Sequence, residues 1–138
     1  MAELDPLNPI GVVRSPLHHR KDAPRQPFDS APDAWLEIKP QFAEALEGIE
    51  VGSDIVVLTW LHMAKRDVLK VRPHGDPNAS ITGVFATRSP DRPNPIGLHR
   101  ATILEVEPQR GLRVAHLEAI DGTPILDIKP VLTKLLDA

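Results

Sequence analysis

The segment GVFATRSPDRPNPIG, residues 83–97, combines two arginines with three closely spaced prolines. Neither a helix nor a central strand tolerates this density of proline. Because the residue before each proline is also kept out of the α region, the segment is predicted to be a stiff, extended loop. Such a loop can hold Arg88 or Arg92 in a fixed geometry that suits a carboxylate or phosphate ligand. An internal ion pair with an Asp or Glu elsewhere in the chain is the alternative.

His62, at the end of a predicted strand, and Asp121, in the turn sequence DGTP, are further titratable candidates. A lone histidine at a strand end is more often structural than catalytic, and DGTP is also an ordinary turn signal. Asp127 and Lys129 are spaced by two, which puts them on the same side of a predicted strand. They can therefore support a site or form a surface ion pair of little consequence. The tripeptide PRQ at 24–26 offers donors but is a weak signal by itself.

Several kinds of chemistry are excluded or unsupported by the sequence. The chain has no cysteine, which rules out disulfides, thiolate zinc sites and thiol catalysis. Its six histidines show neither HxxxH nor HExxH spacing, so we expect no metal site. The glycine-rich phosphate-binding motifs of dinucleotide-binding domains and P-loop proteins are also absent.

The net charge is −3, but charged residues are unevenly distributed along the chain. Segments 14–25 and 65–72 each carry four Lys or Arg residues against one Asp, whereas segment 29–50 is acidic. Basic segments of this kind can bind an anionic partner or form an ordinary solvated surface. The N-terminus lacks an apolar run, and no stretch reaches the ~18 apolar residues of a membrane span. We therefore expect a cytoplasmic protein that does not span a membrane.

The elements that must position these residues are short. Fifteen prolines and eight glycines divide the 138 residues, which predicts many turns, one or two short helices and a single domain. In the run at 96–107, Leu98, Thr102, Leu104 and Val106 lie near one face. This organisation favours a mainly antiparallel β-barrel or sandwich. We expect strands at 10–14, 34–39, 54–62, 67–73, 96–107, 112–120 and 125–132, an irregular loop at 15–32, a short helix at 40–48 and a helical turn at the C-terminus.

Several of these motifs occur in a characteristic order: IGVVRSP, KDAPRQ, a strand ending in His62, VRP, GVFATRSPDRPNPIGL and DGTPILDIKP. In this arrangement the chain resembles the TsaA-like, TrmO-type family of tRNA methyltransferases. The resemblance covers residues 9–132 of a domain that we expect to occupy 1–138. It implies a mainly β, antiparallel barrel-like fold that binds S-adenosylmethionine and acts as a homodimer. It also implies N6-methylation of threonylcarbamoyladenosine beside the anticodon of tRNA.

The resemblance assigns residues to a site for the methyl donor and to its surroundings. His62 and Asp121 are the candidates for a general base, and the two are left undecided. Arg92, Asn94, Asp127 and Lys129 lie in matching motifs and are expected to contact substrate or support the pocket. The implied donor-binding residues are Pro24, Arg25, Gln26, His62, Met63, Arg88, Leu98, Asp121, Gly122, Thr123 and Pro124.

The sequence departs from the family pattern at three places. Met63 stands where the family often has Gln, Val131 replaces an aromatic residue, and HGDPNAS replaces a common Gly-Gly-Asn. Longer members also carry a C-terminal domain, which this chain, ending at Ala138, is expected to lack. These departures keep two alternatives open: a methyltransferase for another RNA or a small molecule, and a non-catalytic module that binds S-adenosylmethionine.

Overall fold

Six strands form a closed barrel in the computed structural model, which describes residues 2–20, 31–73 and 76–132. Around the barrel the strands follow the order β1, β2, β7, β6, β3, β8, and β8 pairs with β1 to close it. Every pairing is antiparallel, which confirms the predicted mainly β, antiparallel barrel. The strands are β1 Gly11–Arg14, β2 Ala34–Ile38, β3 Asp54–Trp60, β4 Lys70–Val71, β5 Thr82–Gly83, β6 Ile96–Glu107, β7 Gly111–Ala115 and β8 Pro124–Pro130.

The barrel interior is filled by branched aliphatic side chains from alternate strand positions. Leu36, Val57, Ile103, Leu112 and Ile125 are fully buried there. Burial of one such side chain contributes roughly 1.5–3 kcal/mol, so this interior supplies most of the apolar stabilisation of the fold.

One glycine allows two strands of the barrel to come close together. Gly111 begins β7 with φ 138°, and a Cβ atom there would overlap the backbone oxygen of Leu36 on β2. Only a residue without a side chain fits this approach.

Two short 3-10 helices accompany the barrel within the described residues. The first, Pro40–Leu46, coincides with the predicted helix, and its proline lies at the N-terminus where the missing N–H costs nothing. The second, Val84–Ala86, begins the arginine- and proline-rich segment. The helical turn expected after residue 132 and the middle of the loop at 15–32 lie outside the described residues.

Residues 61–95, which we call the excursion, leave the barrel between β3 and β6. The strand predicted at 67–73 is wrong for most of its length, because only Lys70–Val71 pairs, and its partner is the equally short β5. An isolated hairpin of this size has no sheet to join and no buried face, so alternation of apolar residues alone does not extend it. The predicted strand at 112–120 likewise ends early, at Ala115.

The inward face of β6 is the one opposite to the face picked out by the sequence pattern. Gly97, His99, Ala101 and Ile103 point into the barrel, while Leu98 is exposed. The register between β6 and β7 shifts between Ile103 and Glu105, and beyond this bulge Val106 packs against the core. A bulge inserts one residue and reverses the alternation, so a single face cannot be followed along the whole strand.

No helix among the described residues is long and apolar enough to cross a membrane.

Candidate functional site

Several implied site residues, namely His62, Met63, Leu98 and the turn at 121–124, lie near one end of the barrel. There β3 ends at Trp60, while β6 begins at Ile96 and β8 begins at Pro124. The pairing of Trp60 with Ile96 and of Thr59 with Ile125 fixes these three strand ends at the same level. We call this end the Trp60 rim.

His62 and Met63 follow β3 directly and are exposed at the Trp60 rim. The backbone N–H of Leu61 donates to the carbonyl of Pro95 at 2.8 Å. This bond joins the two points at which the excursion leaves and re-enters the barrel. The residues that precede and follow the excursion are therefore neighbours, although they are far apart in sequence.

Arg92 cross-links the arginine- and proline-rich segment at residues 83–97. Its guanidinium donates to the carbonyl oxygens of Ser89, at 2.8 Å, and of Thr87, at 2.6 Å, and also to that of Val84. The Arg92 side chain is half-buried. Its partners are backbone carbonyl oxygens, and they are neither the external anion nor the internal Asp or Glu that the sequence suggested. Arg92 thus stiffens the loop that presents Arg88.

A second set of contacts fastens the loop to the start of the excursion. The Asp91 carboxylate accepts from the backbone N–H of Lys65 at 2.8 Å and from the Arg20 guanidinium at 3.0 Å. Arg66 donates to the carbonyl of Pro93 at 2.8 Å and to the side-chain oxygen of Asn94 at 3.1 Å. Arg66 therefore holds the side chain of Asn94 in place.

Arg88 differs from its neighbours because it is exposed and makes no hydrogen bond or ion pair with any described residue. An exposed guanidinium on a stiffened loop is suited to binding a carboxylate or phosphate group from outside the chain.

The turn at residues 121–124 is tied to the end of β1. Gly122 donates its N–H to the carbonyl of Val13 at 2.8 Å, and Val13 donates to the carbonyl of Thr123 at 2.9 Å. One carboxylate oxygen of Asp121 accepts from the N–H of Ser15 at 3.1 Å, and the other lies 3.9 Å from both Arg14 and His18. The Asp121 carboxylate therefore accepts one hydrogen bond and lies near one guanidinium and one imidazole.

Leu98 lies on the outer face of the barrel, where Leu58 of β3 separates it from Asp127 of β8. Asp127 and Lys129 form the ion pair that their spacing suggested, at 3.4 Å. Both side chains are at least half exposed, so this pair contributes little to stability. They lie on the wall below the Trp60 rim.

An apolar groove of about 240 Å³ opens beside the strand ends. It is lined by Trp60, Pro124, Leu126, Leu7 and Pro9, and no polar surface contributes to it. The indole of Trp60 is also covered by Arg66, whose guanidinium carbon lies 5.1 Å from the ring centroid. The Trp60 rim therefore combines apolar surface with nearby cations and one carboxylate.

The family model described as the tRNA-methyltransferase O N-terminal domain matches residues 12–137. The chain belongs to this family. This membership confirms the resemblance read from the sequence motifs, which included the DGTP and arginine- and proline-rich segments.

Two curated proteins are similar to this chain over most of its length. A probable S-adenosyl-L-methionine-binding protein from Methanothermobacter thermautotrophicus is 47% identical over 124 residues, covering 90% of this chain and 88% of the relative. An S-adenosyl-L-methionine-binding protein from Archaeoglobus fulgidus is 49% identical over 123 residues, covering 89% and 86%.

Solved structures of the family share the fold. The crystal structure of TrmO from Pseudomonas aeruginosa superposes with a TM-score of 0.77 at 34% identity. The match covers 99% of this chain but 61% of that one. The chain therefore spans about three fifths of the length of this solved relative.

The residues Pro24, Arg25 and Gln26, which the resemblance assigns to donor binding, lie outside the described residues. The last described residue before them is Arg20, which donates to the carbonyl of Met63 at 3.3 Å and to Asp91. Arg20 therefore contacts both ends of the excursion.

The described part of the chain contains no group of three or more His, Asp or Glu side chains placed to hold a metal ion. A shifted pKa lies at the opposite end of the barrel, at Asp54 on β3. The Thr102 hydroxyl and then the Arg100 guanidinium hold the pKa of Asp54 below its ordinary value of 3.8. This shift belongs to the barrel wall and not to the Trp60 rim.

Sequence reasoning missed three hydrogen-bonded polar residues close to the rim: Thr59 and His99 inside the barrel, and the part-buried Glu118. His99 shares its strand face with Ala101 and Ile103, so the alternation along β6 could have marked it as an inward-facing polar residue. No comparable signal marks Glu118, which follows the end of β7.

Proposed function

We propose that this chain binds S-adenosylmethionine at the Trp60 rim and methylates N6 of threonylcarbamoyladenosine in tRNA. The observation that carries the proposal is the convergence of His62, Met63, Leu98 and the turn at 121–124 on one end of the barrel. These residues are described donor-binding positions implied by the family motifs, as is Arg88. The names of the relatives support the same cofactor.

Residues at the rim, together with Arg88 on the loop of the excursion, fit the parts of this cofactor. Arg88, exposed on a loop stiffened by Arg92, would hold a carboxylate. The exposed side chains of Met63 and Leu98 would cover apolar surface, and the polar turn at 121–124 would accept or donate hydrogen bonds. When bound, S-adenosylmethionine supplies an electrophilic methyl group on a sulfonium.

Methyl transfer of this kind depends chiefly on placement, because alignment of the reacting atoms accounts for much of the rate. The N6 atom of the acceptor belongs to a urea-like group and is a weak nucleophile, so loss of its proton favours attack. Of the two candidate bases, we infer that His62 takes this proton. His62 has no hydrogen bond to a described residue, whereas the Asp121 carboxylate already accepts one and lies 3.9 Å from the Arg14 guanidinium.

We further infer that the protein works as a cytoplasmic homodimer that contacts tRNA through the excursion. The excursion carries six Lys or Arg residues against three Asp, although the whole chain has a net charge of −3. Positive charge concentrated on one part of an acidic protein favours an anionic partner.

Calorimetric titration with S-adenosylmethionine tests the cofactor assignment. We expect Arg88→Ala to weaken binding by about tenfold or more, since a charge-assisted contact is worth roughly 1.5–3 kcal/mol. Arg113→Ala, which removes the same charge from the barrel wall, is the matched control and should bind like the parent chain. No binding by the parent chain would refute the assignment.

The acceptor is tested with tRNA that carries unmethylated threonylcarbamoyladenosine. Incubation with the chain and S-adenosylmethionine should produce the N6-methylated nucleoside, detected by mass spectrometry, and His62→Ala should slow its formation. Cofactor binding without transfer to this tRNA would refute the acceptor assignment and leave the two alternatives.

One observation favours the non-catalytic alternative as a second candidate. The chain spans 88% of a relative that is named only as a probable S-adenosyl-L-methionine-binding protein, but 61% of a TrmO chain. A binding module would titrate with S-adenosylmethionine and transfer its methyl group to no RNA or small molecule supplied.

A further inference from the structure

Three polar side chains next to the Trp60 rim form a continuous hydrogen-bonded chain. The Thr59 hydroxyl oxygen lies 2.7 Å from Nε2 of His99, and Nδ1 of His99 lies 2.5 Å from a carboxylate oxygen of Glu118. Thr59 and His99 are buried inside the barrel, at 0% and 5% exposed, and Glu118, which follows β7, has a side chain that is 15% exposed. We call this set the triad.

The bond to Glu118 has a fixed direction. An ionised carboxylate only accepts, so Nδ1 of His99 carries a proton and donates it to Glu118. Nε2 accepts from the Thr59 hydroxyl in the neutral ring and donates to it in the protonated ring. Hydroxyl, imidazole and carboxylate stand in the order of a nucleophile, its base and an orienting acid. However, the enclosed Thr59 hydroxyl cannot meet a substrate, so the arrangement is not a catalytic one.

The surrounding packing leaves room for the triad and little else. A Cβ atom on Gly97 would overlap the Thr59 hydroxyl and come within 2.6 Å of Nε2 of His99. The second carboxylate oxygen of Glu118 is buried without a hydrogen-bond partner in the described structure. Glu118 therefore depends on His99, since a buried carboxylate that loses its partner is costly.

Each member of the triad belongs to a segment that supplies a residue of the proposed donor site. His99 follows Leu98 directly on β6. Thr59 lies three residues before His62, and Glu118 lies three residues before Asp121. The triad is thus the polar link between three segments that are distant in sequence and meet at the Trp60 rim.

We infer that Thr59, His99 and Glu118 are positioning residues that set the relative placement of these three segments, and with it the shape of the donor site. The inference rests on the proposed function for the identity of the ligand. Apolar packing is non-directional, whereas hydrogen bonds in a low-dielectric interior fix both distance and orientation. A shift of about 1 Å at such a site can cost two orders of magnitude in rate.

Substitution of Thr59 tests the inference with little change in volume. Thr59→Val removes the hydroxyl, and we expect S-adenosylmethionine to bind about tenfold more weakly in calorimetric titration. Thr59→Ser keeps the hydroxyl, and this variant should bind S-adenosylmethionine within about twofold of the parent chain. Thr102→Val is the matched control, because it removes a hydroxyl that bonds to Asp54 at 2.6 Å at the opposite end of the barrel.

Melting temperatures measured on the same variants separate positioning from general stability. Thr59→Val should weaken cofactor binding at temperatures where it is fully folded, and Thr102→Val should not. Equal affinity of the parent chain and Thr59→Val would overturn the inference. So would a loss of affinity in Thr59→Val that Thr59→Ser does not recover.

A second measurement does not depend on the cofactor. Nitrogen-15 NMR of the parent chain should show a single His99 tautomer protonated on Nδ1. Thr59→Val should shift the backbone amide signals of Met63, Leu98 and Asp121. If the parent chain binds no S-adenosylmethionine, the proposed function fails. The NMR measurement then decides the inference by itself, and unchanged amide signals at Met63, Leu98 and Asp121 would overturn it.

Discussion

The barrel wall and the excursion use arginine in different ways. On the barrel wall, Arg100 pairs with Asp54 at 3.0 Å, and Arg113 pairs with two carboxylates at 3.2 and 3.4 Å. In the excursion, Arg66, Arg72 and Arg92 donate to backbone carbonyl oxygens. None of these three pairs with a carboxylate among the described residues.

The difference follows from the state of the backbone in each region. In the barrel, the strand ladders already satisfy the backbone N–H and C=O groups, so surface arginines are left to pair with carboxylates. The excursion has only the two-residue strands β4 and β5, and most of its carbonyls need other donors. Arginine side chains supply them. The excursion is thus held by side-chain cross-links, and its positive charges are not neutralised by the contacts that hold it.

The largest effect should come from the barrel interior. Leu36→Ala removes a fully buried side chain, and such a truncation costs about 2–5 kcal/mol of unfolding free energy. Urea denaturation should show a lower midpoint by every probe, because barrel and ladders are lost together. A loss confined to one region would contradict the closed barrel as one cooperative unit.

An intermediate and local effect is expected in the excursion. Arg92→Ala removes the donor for three carbonyls, and we expect a cost of about 2 kcal/mol in the opening of this loop. Amide hydrogen exchange should accelerate at Thr87 and Ser89, with little change at Val57 or Ile103. Arg92→Lys should not restore protection, because an ammonium lacks the planar fork of a guanidinium.

Arg113→Ala is the control from the other region, since it removes two partly exposed surface ion pairs and should cost no more than about 1 kcal/mol. If Arg92→Ala has an effect as small as Arg113→Ala, the two regions do not differ in the way described. If it unfolds the barrel as Leu36→Ala does, the excursion is not a separate unit.

The smallest effect concerns the pH dependence of the barrel wall. The pKa of Asp54 is lowered on folding, so its contribution to stability is present above the unfolded pKa and is lost as pH falls through the folded pKa. Below pH 4, Asp54→Asn should therefore lose less stability than the parent chain. Identical acid denaturation of the two chains would contradict the role of Thr102 and Arg100 at this carboxylate.

The fold could be predicted from the sequence in the barrel, where each strand pairs with a neighbour on both sides. The limits of β6 coincide with the run predicted at 96–107, but the face that meets the core was not predicted, because the bulge between Ile103 and Glu105 reverses the alternation. The excursion was predicted less well, and the strand expected at 67–73 shortened to two residues. Its conformation depends on contacts with Arg66, Asp91 and Arg92, and apolar alternation carries no information about such contacts.

The amino-acid sequence alone determined the strand pattern, the stiffness of the proline-rich segment, the distribution of charge and the family motifs. These follow from local sterics and from periodicity, which act over a few residues. Only the tertiary structure decided that Arg92 binds carbonyls while Arg88 remains exposed, since both are arginines in the same loop. It also decided that His99 meets Thr59 and Glu118, because barrel closure and register bring together groups that lie 40 and 19 residues apart.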